Sequence, residues 1–157
     1  MRIGFGYDVH RLAKGAPLFL GGVKIPHHQG LIGWSDADVL THAVMDALLG
    51  AAALGDIGTH FPPGDPEYKG ISSLVLLGKV GGMLKKAGYK VGNVDATIVA
   101  EQPKLAPQIA EMRAALAKAL NCPVGDIGIQ ATTSEELGFA GREEGMVAWA
   151  VALIEKA

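Results

Sequence analysis

Asp8, His10 and His42 have the residue types and spacing of a metal site. Asp8 and His10 are two residues apart in a segment of alternating apolar residues, so both side chains point to the same face of a predicted strand. His42 lies in a predicted helix, one turn after Asp38 and one turn before Asp46. Two histidines and one carboxylate are a common ligand set for catalytic zinc, which keeps a fourth position open. Iron and manganese use the same set, so the ligand types alone do not name the metal.

Asp38 or Asp46 is expected to accept the second ring proton of His42, because a metal-bound histidine normally donates that proton to a nearby oxygen. A structural interpretation of the same residues stays open at this point. A lone D-x-H pattern is common in unrelated chains, and a histidine on an apolar helix is more often a core residue than a ligand. The spacing therefore needs support from other residues before it identifies a metal site.

The hydroxyl-rich turn at residues 131–135 is a second candidate site. Backbone N–H groups and hydroxyls in such a turn can hold phosphate, and Glu135 can bind an oxygen-preferring cation such as Mg²⁺. An ordinary hydrogen-bonded turn explains the same residues more simply. The glycine-rich segment at residues 138–145 reads as a surface loop, and its single arginine is compatible with anion binding. Cys122 has no activating neighbour, and the patterns of a P-loop and of a nucleophile elbow are absent.

Hydrophobic periodicity predicts the elements that must position these residues. Strands are expected at residues 1–9, 17–25, 94–99, 127–132 and 146–154, and helices at 35–54, 74–88 and 107–120. The second strand should break at Gly21–Gly22 and pair with the first, and Ser35 should cap the first helix after a loop at residues 26–34. The predicted fold is an α/β two-layer sandwich of one mixed sheet and about three helices. The last strand is almost entirely apolar, so both of its faces should be buried, one of them against another subunit.

Composition limits the classes of protein that this chain can belong to. Its 157 residues are 49% hydrophobic and 19% charged with a net charge of −2, which fits one globular domain over residues 1–157 and excludes intrinsic disorder. Near-neutral charge argues against a nucleic-acid partner, and no apolar run reaches the roughly 20 residues of a membrane span. A single cysteine excludes an intrachain disulfide. The lack of a leader pattern predicts a cytoplasmic bacterial protein or a mature form without its leader.

Five segments taken together resemble the 2-C-methyl-D-erythritol 2,4-cyclodiphosphate synthase family. They are GYDVH at residues 6–10, SDADVLTHA at 35–43, DALLGA at 46–51, GDIG at 55–58 and ATTSEELGF at 131–139. The resemblance extends from residue 2 to about residue 155 and implies a single catalytic domain. It implies a metal-dependent phosphorus–oxygen lyase of the non-mevalonate (MEP) isoprenoid pathway. Such an enzyme converts 4-diphosphocytidyl-2-C-methyl-D-erythritol 2-phosphate to the 2,4-cyclodiphosphate with release of CMP, by intramolecular phosphoryl transfer.

The resemblance also implies which residues form the site. Zn²⁺ would bind to Asp8, His10 and His42, and Mg²⁺ or Mn²⁺ to Glu135 and the substrate phosphates. Trp34 and Thr133 would hold the catalytic positions. The phosphate and erythritol parts would contact Val9, Ser35, Asp56, Ile57, Gly58, Phe61, Pro62, Pro63, Gly64 and Asp65. The cytidine and its phosphates would contact Ala100, Glu101, Gln102, Pro103, Lys104, Leu105, Ala106, Ala131, Thr132 and Ser134.

Members of this family are similar in being homotrimers with active sites between adjacent subunits. By the same resemblance, Phe139 and Arg142 would face a central cavity that can hold an isoprenoid diphosphate. Three residues depart from the family pattern. Trp34 stands where histidine is usual, Pro63 where aspartate is common although Asp65 remains, and Ala37 where glycine is commoner. Alanine is expected to be harmless in a helix.

Three alternatives stay open at the level of sequence. The first is a zinc-dependent phosphohydrolase that uses the same ligands to activate water. The second is a non-catalytic trimeric ligand sensor with structural zinc, although structural sites normally have four protein ligands. The third is a family member that has lost activity through its unusual residues at positions 34 and 63.

Overall fold

The computed structural model describes residues 1–157 and contains a five-stranded mixed sheet with its three long helices on one face. The strands are β1 (Arg2–Lys14), β2 (Leu18–Leu20), β3 (Val23–Ile25), β4 (Gln29–Ile32), β5 (Tyr89–Val99), β6 (Ile127–Thr132) and β7 (Gly145–Lys156). The helices are α1 (Val39–Ala52), α2 (Ile57–His60), α3 (Ser73–Lys86), α4 (Ile109–Leu120) and α5 (Gly138–Gly141). The predicted α/β class with a mixed sheet is confirmed, and two one-turn helices, α2 and α5, add to the three predicted helices.

The order of strands in the sheet brings the predicted site segments to one edge. The order is β4-β1-β7-β5-β6, and β7 is antiparallel to both β1 and β5, while β6 is parallel to β5. Strands β1, β5 and β6 therefore run in the same direction. The register aligns Asp8 with Ala148, Ile98 and Ala131 in one row across the sheet. At 4.7–4.9 Å per strand, Asp8 and Ala131 are roughly 14 Å apart at the backbone.

Two glycines in β1 allow α1 to pack directly on the strand. A Cβ atom at Gly4 would lie 1.9 Å from the carbonyl oxygen of Ala47, and one at Gly6 would lie 1.9 Å from that of Ala43. The even-numbered residues of β1 thus face the helices. Because β1 alternates, Asp8 and His10 lie on the same face as these glycines, and α1 carries His42 to them.

Several predicted boundaries in the first forty residues are wrong. Residues 17–25 form a separate two-stranded sheet of β2 and β3 instead of pairing with β1, because Gly21 and Gly22 adopt positive φ and reverse the chain. The expected loop at residues 26–34 contains β4, which pairs with the end of β1 that extends beyond β7. Helix α1 is capped by Asp38, whose carboxylate accepts from the backbone N–H of Thr41, so Ser35 is not the cap.

Ala37 does not lie in a helix, as the sequence prediction assumed. It precedes α1 with a φ of 58° and is fully buried. In this left-handed conformation a side chain costs about 1 kcal/mol relative to glycine. Alanine in place of the family's glycine at position 37 is therefore strained in its backbone conformation, not neutral as expected.

The second helix and the third and fourth predicted strands are confirmed, with β5 starting five residues earlier than expected. The third helix begins at Ile109 after a 3₁₀ turn at Ala106–Gln108. Residues 138–145 contain the one-turn helix α5 where a loop was expected. No helix combines the length and the apolar character needed to cross a membrane.

Strand β7 is not buried on both faces within one chain. Its helix-facing residues Ala148, Ala150, Ala152 and Ile154 are buried, whereas Trp149 and Val151 on the other face are exposed. Neighbouring residues of β1 extend the same apolar surface. This open sheet face consists of Ile3, Phe5, Tyr7, Val9, Trp149 and Val151. The three long helices pack on the opposite face, and only the one-turn helix α5 borders this one, where Phe139 lies beside Tyr7. The strand therefore keeps the alternation of a sheet that is covered mainly on one side.

Candidate active site

Asp8, His10 and His42 bring three donor atoms together. Asp8 Oδ2 lies 3.0 Å from His10 Nε2 and 3.0 Å from His42 Nδ1, and the two ring nitrogens are 3.1 Å apart. A tetrahedral zinc ion with bonds of about 2.0–2.1 Å holds its ligand atoms roughly 3.3 Å apart. The two nitrogens and one oxygen therefore fit a single ion of this kind, and the predicted ligand set is brought together by the fold.

The charges in this triad are mutually stabilised. Burial raises the pKa of the Asp8 carboxyl, but hydrogen bonds and charge attraction from His10 and His42 outweigh it and lower the pKa to about 2. Burial lowers the pKa of His10, but the hydrogen bond to Asp8 and the charge of Asp8 raise it. Together with the smaller effect of the Ile32 carbonyl, they leave the pKa of His10 above its ordinary value. Asp8 is thus an anion at neutral pH, the form that binds a metal.

Backbone on β4 fixes the ring of His10. The ring nitrogen Nδ1 lies 3.0 Å from the carbonyl oxygen of Ile32, which can only accept a hydrogen bond. Nδ1 therefore carries a proton, which leaves Nε2 as the nitrogen that can give its lone pair to a metal. Sequence reasoning missed this partner because a backbone carbonyl leaves no residue-type signal.

Neither Asp38 nor Asp46 accepts a hydrogen bond from the ring of His42, so that prediction is wrong. The carboxylate of Asp38 accepts hydrogen bonds from the backbone N–H groups of Gly21, Gly22 and Thr41. Asp46 Oδ1 accepts from the backbone N–H of Ile57 at 2.8 Å. Both carboxylates therefore accept hydrogen bonds from backbone N–H groups and not from the ring of His42. The partners of His42 Nε2 are the hydroxyl oxygens of Ser73 at 2.9 Å and Ser35 at 3.1 Å.

A cavity of about 240 Å³ opens beside the triad. It is lined by Asp8, His10, Trp34, Ser35, His42, Ile57, Gly58, Phe61, Pro63, Tyr68 and Leu76. All but the last two of these residues were predicted site residues. Asp56, another predicted site residue, does not line this cavity. Its carboxylate caps α2 by accepting hydrogen bonds from the backbone N–H and the hydroxyl of Thr59. These hydrogen bonds lower the pKa of the Asp56 carboxyl.

Trp34 fastens the loop that forms one wall of this cavity. Its indole N–H donates to the carbonyl oxygen of Asp65 at 2.8 Å, and its own carbonyl oxygen accepts from the backbone N–H of Gly70 at 2.8 Å. The ammonium of Lys69 lies 5.8 Å from the centroid of the indole ring. The carboxylate of Asp65 accepts from the backbone N–H of Glu67 at 2.9 Å. In this conformation the indole N–H is engaged by the loop.

The predicted cytidine segments form a second cluster at the ends of β5 and β6. The backbone N–H of Ala100 donates to the carbonyl oxygen of Thr132 at 3.0 Å. Glu101 Oε1 accepts from the backbone N–H of Ser134 at 2.6 Å, which ties the two segments together. Glu135 has a φ of 52° and does not belong to the group around His42. Neither segment lines the cavity beside the triad.

The predicted site residues thus form two separate clusters within one chain, which we call the metal half-site and the strand-end half-site. The metal half-site comprises the triad and the cavity beside it. The strand-end half-site comprises residues 100–106 and 131–136. Phe139 lines a separate cavity of about 410 Å³ with Tyr7 and His10, and Arg142 pairs with Glu144 at 3.1 Å.

An α/β fold that places three possible metal ligands beside a cavity is the arrangement found in metal-dependent enzymes. The chain belongs to the YgbB family, whose model matches residues 1–155. The family expected from the sequence motifs is confirmed.

Similar proteins carry the name that the sequence motifs implied. The chain is 67% identical over 156 residues, 99% of both chains, to the 2-C-methyl-D-erythritol 2,4-cyclodiphosphate synthase of Dehalococcoides mccartyi strain CBDB1. The bifunctional IspDF of Campylobacter jejuni superposes with a TM-score of 0.95 at 38% identity over 99% of this chain, which spans 42% of that protein. A CDP-bound form of 2C-methyl-D-erythritol-2,4-cyclodiphosphate synthase matches with a TM-score of 0.90 at 37% identity, covering 98% of this chain and all of that one.

Proposed function

We propose that this chain is a 2-C-methyl-D-erythritol 2,4-cyclodiphosphate synthase of the non-mevalonate isoprenoid pathway. Its substrate is 4-diphosphocytidyl-2-C-methyl-D-erythritol 2-phosphate, and its products are the cyclic diphosphate and CMP. The observation that carries this proposal is the meeting of Asp8, His10 and His42 donor atoms beside a cavity. The relatives named as this synthase agree with it.

The chemistry is an intramolecular displacement at phosphorus. An oxygen of the 2-phosphate forms a bond to the β-phosphorus, and the bond from that phosphorus to the oxygen of CMP breaks, so CMP takes the electron pair. The nucleophile is already an anion and needs no general base. The enzyme must hold the two phosphates close together against their mutual repulsion.

The metal half-site supplies this positioning in the proposal. Asp8, His10 and His42 would hold Zn²⁺, which would supply a positive charge and a Lewis acid to the diphosphate. The hydroxyl of Ser35 faces the same cavity and can donate to the 2-phosphate. Trp34 holds the loop over this phosphate, while Ile57, Gly58 and residues 61–65 enclose the erythritol part together with Val9 and Asp56.

The strand-end half-site supplies the nucleotide contacts in the proposal. Residues 100–106, with Ala131 and Thr132, recognise the cytosine edge through backbone donors and acceptors. Thr133 would orient the phosphates, and Glu135 would hold Mg²⁺ or Mn²⁺ together with the substrate phosphates.

We infer that the enzyme is a homotrimer with each site between adjacent subunits. Two features support this. The metal cavity contains no residue of the strand-end half-site from the same chain, and the open sheet face leaves a large apolar surface uncovered. Phe139 and Arg142 would then line a central cavity that holds an isoprenoid diphosphate, for which Arg142 must leave Glu144. The enzyme acts as a single catalytic domain in the bacterial cytoplasm.

Phosphorus NMR of the purified chain with its substrate, zinc and magnesium tests the activity. We expect CMP and a cyclic diphosphate signal to grow at equal rates. Release of inorganic phosphate would identify a phosphohydrolase instead. Unchanged substrate in a zinc-loaded chain that still binds CDP would identify a ligand sensor or a member that has lost its activity.

A further inference from the structure

Ser73 is a fully buried serine in contact with a residue of the metal half-site, and no motif pointed to it. It is the first residue of α3, and its hydroxyl oxygen lies 2.9 Å from His42 Nε2. On the other side, this hydroxyl donates to Asp36 Oδ1, and the backbone N–H of Ser73 donates to Asp36 Oδ2 at 2.9 Å. Ser73 thus bridges the imidazole of His42 and a carboxylate.

The chemistry of the three groups fixes the direction of each hydrogen bond. His42 Nδ1 faces the other two ligand atoms, so its lone pair is the one available to a metal. The proton of the neutral ring is then on Nε2. Nε2–H donates to the Ser73 oxygen, and the Ser73 hydroxyl hydrogen goes to Asp36, because a carboxylate can only accept. The carboxylate therefore makes Ser73 an acceptor for the ring.

Ser35 is the other hydroxyl within reach of His42 Nε2, but its surroundings differ. It lies at 3.1 Å, lines the cavity, and has no carboxylate that directs its hydrogen away from the ring. Its oxygen already accepts from the backbone N–H of Ala37 at 3.3 Å. Ser73 is closer, is fully buried and does not line the cavity.

We propose that Asp36 and Ser73 are positioning residues that fix the tautomer and ring orientation of His42 and so set the metal affinity of the site. Ser35 remains available to the substrate. This inference rests on the proposed metal site but not on the proposed reaction. It also gives α3 a function, since the helix begins at the residue that holds the ring.

Zinc affinity of the purified full chain, measured by competition with a chromophoric chelator and without substrate, tests the proposal. Partners of this kind typically contribute about 10- to 100-fold to metal affinity. We expect Ser73→Ala to weaken zinc binding by that factor, and Asp36→Ala to weaken it in the same direction. The matched control Ser35→Ala should bind zinc nearly as the unchanged chain does. Asp36→Ala also serves if Ser73→Ala does not fold, because it leaves the buried serine in place.

Proton NMR of the His42 Nε2–H in the zinc-loaded chain provides a readout that a merely structural role would not move. We expect this proton to exchange slowly with water in the unchanged chain and in Ser35→Ala, because the buried Ser73 oxygen accepts it. In Ser73→Ala the exchange should be faster. Unchanged proton exchange and zinc affinity in Ser73→Ala, or equal losses in Ser73→Ala and Ser35→Ala, would overturn the proposal. Absence of turnover in the unchanged, zinc-loaded chain would instead contradict the proposed reaction alone.

Discussion

The metal half-site and the strand-end half-site lie at the same end of the sheet, near the carboxyl ends of β1, β5 and β6. They differ in how many of their functional groups have partners within one chain. In the metal half-site, three donor atoms lie within 3.1 Å of one another, and ring nitrogens of His10 and His42 have further partners outside the triad. In the strand-end half-site, Thr132, Thr133 and Glu135 are exposed, and Glu135 adopts a left-handed φ. The first region is organised for an ion before any ligand arrives. The second presents backbone and carboxylate groups that a single chain leaves uncovered.

This difference separates two kinds of failure. Changes in the metal half-site should remove the ion from each chain independently of assembly. Changes in the open sheet face or the strand-end half-site should leave the ion in place and affect assembly, nucleotide binding or the second metal.

The largest effect is expected from His42→Ala. The substitution removes one of three metal ligands, and the remaining pair of Asp8 and His10 cannot hold zinc tightly. Zinc content measured by mass spectrometry and turnover measured by phosphorus NMR should both fall below detection. One zinc ion per chain with full turnover would contradict the assignment of His42 as a ligand. It would also contradict the view that the metal half-site binds its ion within a single chain.

The next effect concerns the open sheet face. Phe5 is 62% exposed in one chain and sits in the centre of this face. Burial of a phenylalanine contributes about 1.5–3 kcal/mol, so Phe5→Asp should break the proposed trimer into smaller species and abolish turnover while zinc binding persists. Analytical ultracentrifugation and zinc titration check both halves of this expectation.

Val75→Asp is the matched control for that experiment. Val75 is 51% exposed on α3, away from the open sheet face, so the same charge should leave mass and turnover unchanged. A Phe5→Asp chain with unchanged mass would show that the apolar face is not the subunit interface.

Glu135→Gln tests the second metal. Losing one carboxylate ligand should raise the magnesium concentration needed for half-maximal turnover by roughly tenfold, equivalent to about 1.4 kcal/mol, while zinc content stays the same. Glu136→Gln is the control. Glu136 lies in the same turn as Glu135 and also has a left-handed φ, but it has no assigned ligand role. Equal magnesium dependence in the two variants would remove Glu135 from the second-metal site.

The sequence predicted which three residues the fold brings together as a possible metal-binding group, because their geometry is local or periodic. Period two in β1 puts Asp8 and His10 on one face, and the helix start at Asp38 fixes where His42 projects. The partners of the rings could not be predicted in the same way. Ser73 lies 31 residues from His42 in the chain, and Ile32 contributes only a carbonyl group.

The errors in the fold have a similar origin. Strand β4 contains Gly30, whose Cβ would lie 2.1 Å from the carbonyl oxygen of Pro17, so a close chain approach rather than a β-propensity pattern defines it. Ala37 was assigned to a helix because residues 35–38 resemble a helix start. The carboxylate of Asp38, buried among backbone N–H groups, begins the helix three residues later.

The smallest effect is expected at Trp34. This residue of the metal half-site stands where the family usually has histidine. Trp34→Phe keeps the ring near Lys69 but removes the hydrogen bond to the Asp65 carbonyl oxygen. A neutral hydrogen bond contributes about 0.5–1.5 kcal/mol, so KM should rise about 2- to 10-fold with little change in kcat, because the loop is held less often over the substrate. Faster amide exchange across residues 65–70 should accompany the change. Lys69→Gln, which leaves the indole bond intact, should have the smaller effect on exchange. A fall in kcat at constant KM would instead mean that the indole N–H acts on the transferring phosphate, as the family's histidine at this position implies.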